Sequence, residues 1–348
     1  MKKFLALSCC FLLILSAFAC SSNKKQTLYI YNFGDYISEE AVKLFEKENN
    51  CKIIQDVFES NEEAQPVIEK GASYDVVCLS EYMIERLKNN GYFEELDKSK
   101  FKHYSNIDKE VLNIMQACDP ENKFAVPYFR GDEGIVYNKT EFDKRGLPIP
   151  RKWSDLWNEA YKGELLMQSS IRDLYTVAEG ANGYSINSSN KDEIEKCTED
   201  LIRQKPLVQS YLTDQIKEKI LNKEALIAPI LSGDIQYIYE NGGEDEYWYI
   251  VPEGVKGLFV DCWCILKKSS NKDLAYKFID FLCREDIAKI NAEYIGYESV
   301  NITTPDEEYL QMRIKGTYAD YSNGVELERD IGDAINYYVE GFNRLISH

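Results

Sequence analysis

The chain has 348 residues, with 41 Lys and Arg against 59 Asp and Glu and a net charge of −18. That balance argues against a nucleic-acid partner, since polyphosphates reward basic surfaces. Only His103 and His348 are present, and no G-x-S-x-G, P-loop or G-x-G-x-x-G occurs, so no His-based zinc site, Ser-His-acid triad or nucleotide cradle can be assembled. The chain is expected not to be an enzyme and to need no cofactor or metal.

Residues 1–20 read as an address. Lys2 and Lys3 form a basic start, an apolar core follows, and Ala17-Phe18-Ala19-Cys20 places small residues before a cysteine. This resembles a bacterial lipobox, which implies a secretion signal ending in lipidation of Cys20, with Ser21 to Lys25 as a polar tether. No later stretch approaches the roughly 18 apolar residues needed to span a bilayer. The expectation is an exported protein held to a membrane by lipid.

The remaining chain is long enough for two lobes. Leu28-Tyr29-Ile30-Tyr31 reads as a first strand, Asn32 to Tyr36 as a loop, and Ser38 with Glu39 and Glu40 as a helix start. A strand over 51–58 is followed by a helix opening at Ser60, and 74–79 reads as a buried strand with Ser80 and Tyr82 at its end. In an open α/β sheet, ligands sit beyond the carboxyl ends of strands. Residues 124–128 and 134–137 flank Arg130-Gly131-Asp132-Glu133, which reads as a crossing between lobes. Trp153, Leu156 and Trp157 mark a helix face within 152–163. Ser170 and Asp173 follow a strand at 164–167, and a strand at 225–231 ends before Ser232-Gly233-Asp234.

Residues 257–266 form a second candidate crossover. Period-2 alternation puts Phe259, Asp261 and Trp263 on one face. A lone Asp inside an apolar strand needs a partner, because an unpaired buried carboxylate is costly; that partner is either structural or a bound cation. Helical patterns at 272–291, broken near Glu285, and at 330–346 complete the alternation of an α/β protein. The seven cysteines beyond Cys20 have no metal spacing and read as buried packing residues.

Taken together, residues 27–33 (Thr-Leu-Tyr-Ile-Tyr-Asn-Phe), Phe58-Glu59-Ser60-Asn61-Glu62, Trp153-Ser154-Asp155-Leu156-Trp157 with Tyr161-Lys162-Gly163, and Ile295-Gly296-Tyr297 with Asn301 resemble the polyamine-binding proteins of bacterial ABC importers, the spermidine/putrescine PotD type. The resemblance runs from Thr27 to about Tyr338. It implies an α/β, two-lobed periplasmic-binding-protein fold (type II), with a ligand cleft between lobes joined by crossing strands. By this analogy lobe 1 takes 26–133 and 259–301, and lobe 2 takes 134–258 and 302–348. The site residues it implies are Phe33, Asp35, Tyr36, Ser80, Tyr82, Ser170, Asp173, Leu231, Phe259, Asp261, Tyr297 and Glu328.

The implied partners are putrescine or spermidine and an ABC permease, with the protein acting as a monomer. Carboxylates suit ammonium groups, and aromatic rings suit methylene stems and cations. Phe33, Leu231 and Phe259 stand where the family usually has Trp, and Ser170 where an acid is common. Fewer acids imply fewer amines read, which leans toward putrescine. Two alternatives stay open: the same fold holding another small cation such as thiamine, and a surface sensor or adhesin not coupled to transport.

Overall fold

The computed structural model describes residues 25–304 and 324–348, so Cys20 and its lipobox lie outside the described residues. Among the described residues eleven strands form the sheet framework: β1 (Gln26–Phe33), β2 (Cys51–Phe58), β3 (Val76–Ser80), β4 (Ala125–Asn138), β5 (Leu165–Gln168), β6 (Val208–Leu212), β7 (Ile227–Leu231), β8 (Tyr247–Ile250), β9 (Lys256–Ile265), β10 (Glu298–Ser299) and β11 (Val325–Leu327). The strand order is β2-β1-β3-β9-β4 in one half and β6-β5-β7-β4-β8 in the other, so β4 is common to both.

β4 is where the two halves join. From Ala125 to Asp132 it pairs with β9, and from Glu133 to Tyr137 it pairs with β7. The polar Arg130-Gly131-Asp132-Glu133 run is therefore not a break between two strands: it is the middle of a single 14-residue strand. Pairing with β9 as far as Asp132 and with β7 from Glu133, together with the Asp132 N–H donating to Ser232 Oγ at 3.2 Å, engages the backbone there and outweighs the poor strand propensity of Gly and Asp.

Buried apolar side chains follow the same division. One cluster draws on residues between Leu28 and Phe129 and between Val260 and Val300. Two others draw on residues between Ile135 and Val251, with Tyr338 and Leu345 of the last helix. β3 is buried along its whole length, as expected of a strand covered on both faces. All seven described cysteines are buried free thiols.

Local signals explain most element starts. The helix Glu39–Asn49 begins where Ser38 Oγ accepts a hydrogen bond from the Glu40 N–H at 3.1 Å, and ends with Asn50 in the left-handed region at φ 47°. Ser60 caps the helix Asn61–Glu69 in the same way.

The expected helix at 152–163 is instead two short 3-10 turns, Trp153–Trp157 and Glu159–Tyr161. Asn158 between them is extended and caps the second turn, while the Trp153 and Trp157 indoles donate to the Val255 and Asp200 carbonyls. Those tertiary hydrogen bonds anchor both rings to segments outside the turn. β6, β10, β11 and the helix Gln215–Leu221 have no counterpart among the elements expected from the sequence.

Candidate functional site

The carboxyl ends of β1, β3, β5 and β7, with the middle of β9, converge on one cleft of about 490 Å³ between the two halves. All twelve residues expected from the sequence line it: Phe33, Asp35, Tyr36, Ser80, Tyr82, Ser170, Asp173, Leu231, Phe259, Asp261, Tyr297 and Glu328. They arrive by different routes. The turn after β1 brings Phe33 to Tyr36, with Asp35 held at φ 50°. The end of β3 and the start of the helix Glu81–Asn89 bring Ser80 and Tyr82. Ser170 occupies the N-cap position, without a capping side-chain hydrogen bond, and Asp173 the first turn of the helix Ile171–Asn182.

Asp261 sits at the centre. Its antiparallel register places Ser80 opposite it on β3 and Phe129 opposite it on β4. Ser80 Oγ donates to Asp261 Oδ1 at 2.7 Å, and Tyr36 Oη donates to Oδ2 at 2.6 Å. Asn61 locks Ser80 in turn, its Nδ2 donating to Ser80 Oγ at 2.9 Å and its Oδ1 accepting from the Ser80 N–H at 3.1 Å. Thus the side chains that hold this buried carboxylate are two neutral hydroxyls. Burial pushes its pKa up to about 6; the two hydroxyl donors oppose that shift and Asp173 adds to it.

A second group of charges lies toward the β5 side. Burial raises the Glu328 carboxyl to about 7 against the pull of Arg172, with Asp173, Glu62 and Asp261 adding to the rise. The Arg172 guanidinium lies 4.0 Å from Glu328 and 5.3 Å from the centre of the Tyr82 ring. It also donates to the Ile186 and Arg329 carbonyls and to Asn187 Oδ1. Tyr82 Oη donates to Glu62 Oε1 at 2.9 Å. At the opposite rim Lys217 stands 3.4 Å from Asp234, whose carboxyl burial raises to about 6.

Aromatic rings build the walls. Tyr36 packs edge-on against Phe33 at 5.5 Å and Tyr297 at 5.8 Å, and Tyr297 packs edge-on against Phe259 at 5.6 Å. Phe259 lies over Gly131, where a β-carbon would come within 2.4 Å of the ring. Gly233 clears the Tyr297 ring in the same way.

Among the lining residues ten carboxyl groups face two basic side chains, Arg172 and Lys217, alongside seven aromatic rings. Sequence reasoning did not assign Asn61, Glu62, Gln168, Arg172, Lys217 or Asp234 to the site, although all six line it. Asn61 and Glu62 lay within a motif that carried the resemblance, and Arg172 directly precedes Asp173. Asp234 follows the strand 225–231 whose end the sequence had marked, whereas for Lys217 no local signal existed. No cluster of metal-ligating side chains occurs among the described residues.

A family model described as bacterial extracellular solute-binding protein matches residues 40–313. The spermidine/putrescine-binding periplasmic protein of Escherichia coli is 31% identical over 343 residues, covering 96% of this chain and 95% of that protein. Its Salmonella typhimurium counterpart is 30% identical over 341 residues, with the same coverage. The solved spermidine/putrescine ABC transporter substrate-binding protein PotD of Streptococcus pneumoniae superposes with a TM-score of 0.77 at 31% identity, covering 93% of this chain and 99% of that one.

Proposed function

We propose that this chain, which belongs to the family of bacterial extracellular solute-binding proteins, captures a polyamine in its cleft and delivers it to an ABC permease. The observation that carries this reading is the charge of the cleft: ten carboxyl groups against two basic side chains, with seven aromatic rings between them. An anionic or neutral ligand would leave those acids uncompensated when the cleft closes. A flexible chain of methylenes with ammonium groups at intervals meets both needs at once, pairing its charges with acids and laying its stems on rings. The names of the Escherichia coli and Salmonella typhimurium relatives agree with this ligand class.

In this reading Asp261, Asp173, Glu328 and Asp35 hold ammonium groups. Phe33, Tyr36, Tyr82, Phe259 and Tyr297 cover the stems, and Ser80, Ser170 and Leu231 complete the wall. Residues 26–133 with 259–301 form one lobe and 134–258 with 302–348 the other, closing about β4 and β9, with 305–323 of that range outside the described residues. The separate apolar clusters on either side of β4 support that division. The protein works as a monomer outside the cytoplasm, held to a membrane by lipid on Cys20. No helix among the described residues is long and apolar enough to cross a membrane.

The test is calorimetric titration of the fragment from Ser22 onward, stripped of ligand by unfolding and refolding, with putrescine, spermidine and thiamine. Saturable binding of either polyamine and none of thiamine is the expected result. Folded protein silent to both polyamines would overturn the reading.

A further inference from the structure

Glu133 is an acid of the central crossing that the site described above leaves unused. It follows directly on the point where β4 exchanges β9 for β7. Register fixes the direction in which it faces. Phe129 lies opposite Asp261, Gly131 opposite Phe259, and Glu133 opposite Leu231. Asp261, Phe259 and Leu231 all line the cleft. Residues directly opposite in an antiparallel pair share a face, as do residues two apart on one strand. Both relations turn the Glu133 side chain toward the cleft, in the layer just beneath its lining.

The residue is 4% exposed, and neither carboxyl oxygen has a hydrogen-bond partner. A buried carboxyl without a partner is costly and calls for an explanation. The charged groups acting on it are Asp173 from the helix Ile171–Asn182, Glu328 beyond β11, and its neighbour Asp132, all acids. Arg172, the cation beside Glu328, is turned to Glu328, Asn187 and two backbone carbonyls. Burial first, and then those three acids, hold the Glu133 carboxyl well above the ordinary carboxylate range.

We propose that Glu133 is a further ligand-binding residue of this cleft, the counter-charge of an ammonium lodged at the Asp173 and Glu328 end, where Ser170 offers only a hydroxyl. The proposal rests on the polyamine reading. Arg172 offsets one charge at that end; without a second cation, three converging acids cannot all ionise. When an ammonium enters, Glu133 gives up its proton to solvent and becomes the carboxylate that faces it. Asp261, with Tyr36 and Ser80, then serves a different amine of the same molecule. The absence of an acid at position 170 does not by itself shorten the preferred ligand, because the missing charge comes from the neighbouring crossing strand.

The experiment compares the wild-type fragment with Glu133→Gln by calorimetric titration of putrescine and spermidine. Each titration is run in two buffers of different ionisation enthalpy, so that protons released on binding are counted. Glu133→Gln should fold with an unchanged or higher melting temperature, bind at least one polyamine about 10- to 100-fold more weakly, and release fewer protons. Glu133→Leu, which places an apolar side chain beside Leu231, should give the same loss and stands in if the Gln variant does not fold.

Unchanged affinity in a folded variant overturns the assignment of Glu133 while leaving the polyamine reading intact. An affinity loss with unchanged proton release assigns the effect to packing and overturns it as well. Wild-type protein that binds neither polyamine overturns both.

Discussion

Tyr36 and Asp261, 225 positions apart in the chain, meet in a 2.6 Å hydrogen bond at the centre of the cleft, with the phenol donating to the carboxylate. This contact ties the turn after the first strand to the second crossing strand. It holds Asp261 in place with neutral donors, so the charge of that carboxylate is left for a ligand to balance.

Asp261→Asn should therefore reduce polyamine affinity by about 2–4 kcal/mol, in the range of truncating one partner of a buried charge pair. The amide keeps one acceptor for the Tyr36 or Ser80 hydroxyl and removes a buried charge, so folding stability should change by no more than about 1 kcal/mol. Titration calorimetry with a parallel thermal melt separates the two effects. Unchanged affinity would remove Asp261 from the site.

The pH dependence follows from the raised carboxyls. Glu328 titrates at about 7 and Asp261 at about 6 in the folded chain, both above the ~4 of an unfolded carboxyl. Each contributes stability that is fully present below about pH 4 and is lost as pH rises through about 6 to 7. Polyamine binding needs the ionised forms and has the opposite slope. Between about pH 7.5 and 5.5 affinity should fall, while the contribution of these groups to ligand-free stability rises. Melts and titrations across that interval check both slopes, and the Asp261→Asn, Glu328→Gln double variant should flatten them.

Gly131 tests the wall of the cleft. A β-carbon there would lie 2.4 Å from the Phe259 ring and 2.9 Å from Ser232 Oγ. Gly131→Ala should push the ring into the ligand space, lowering stability by about 1–3 kcal/mol and weakening polyamine binding. Affinity equal to wild type would show that Phe259 does not bound the ligand.

Arg172 has a structural as well as an electrostatic task. It is buried, donates to the Ile186 and Arg329 carbonyls, and offsets Glu328. Arg172→Met should destabilise the fold by about 3–5 kcal/mol by stranding those acceptors and the Glu328 charge. Chemical denaturation measures the loss, which should shrink at low pH, where Glu328 is protonated.

Cys20→Ser should abolish lipid attachment and move the protein from the membrane fraction to the soluble one. Radiolabelled fatty acid incorporation and fractionation of the producing cells read this directly. A Cys20→Ser variant that stays with the membrane would overturn the anchor.

Part of the candidate site was legible in the sequence because several of its residues lie at the ends of strands that announce themselves, while the full set of twelve rested on the family resemblance. The run Leu28 to Tyr31 is β-branched and aromatic, and 76–79 is uniformly apolar, so the polar residues that follow each run stand out. Asp261 was visible as a single acid within an apolar alternating strand. Other residues gave no such signal. Asn61 orients Ser80 across 19 positions, and Lys217 meets Asp234 from a different helix. The run from Arg130 to Glu133 reads in the sequence as a crossing between lobes, and its pairing with β9 and then β7 makes it the middle of one continuous strand.

What the sequence determined by itself was the alternation of strands and helices, the acidic balance, and the types of side chain at the strand ends. These depend on local periodicity and propensity, which neighbouring residues set. The tertiary structure alone decided which acids share a cleft, which have partners, and which are forced toward neutrality. A carboxyl's burial and the charges around it come from segments far away along the chain. Asp261 and Glu133 are both acids inside strands, yet one is held by two hydroxyls and the other by none. The difference comes from what packs across the sheet from each.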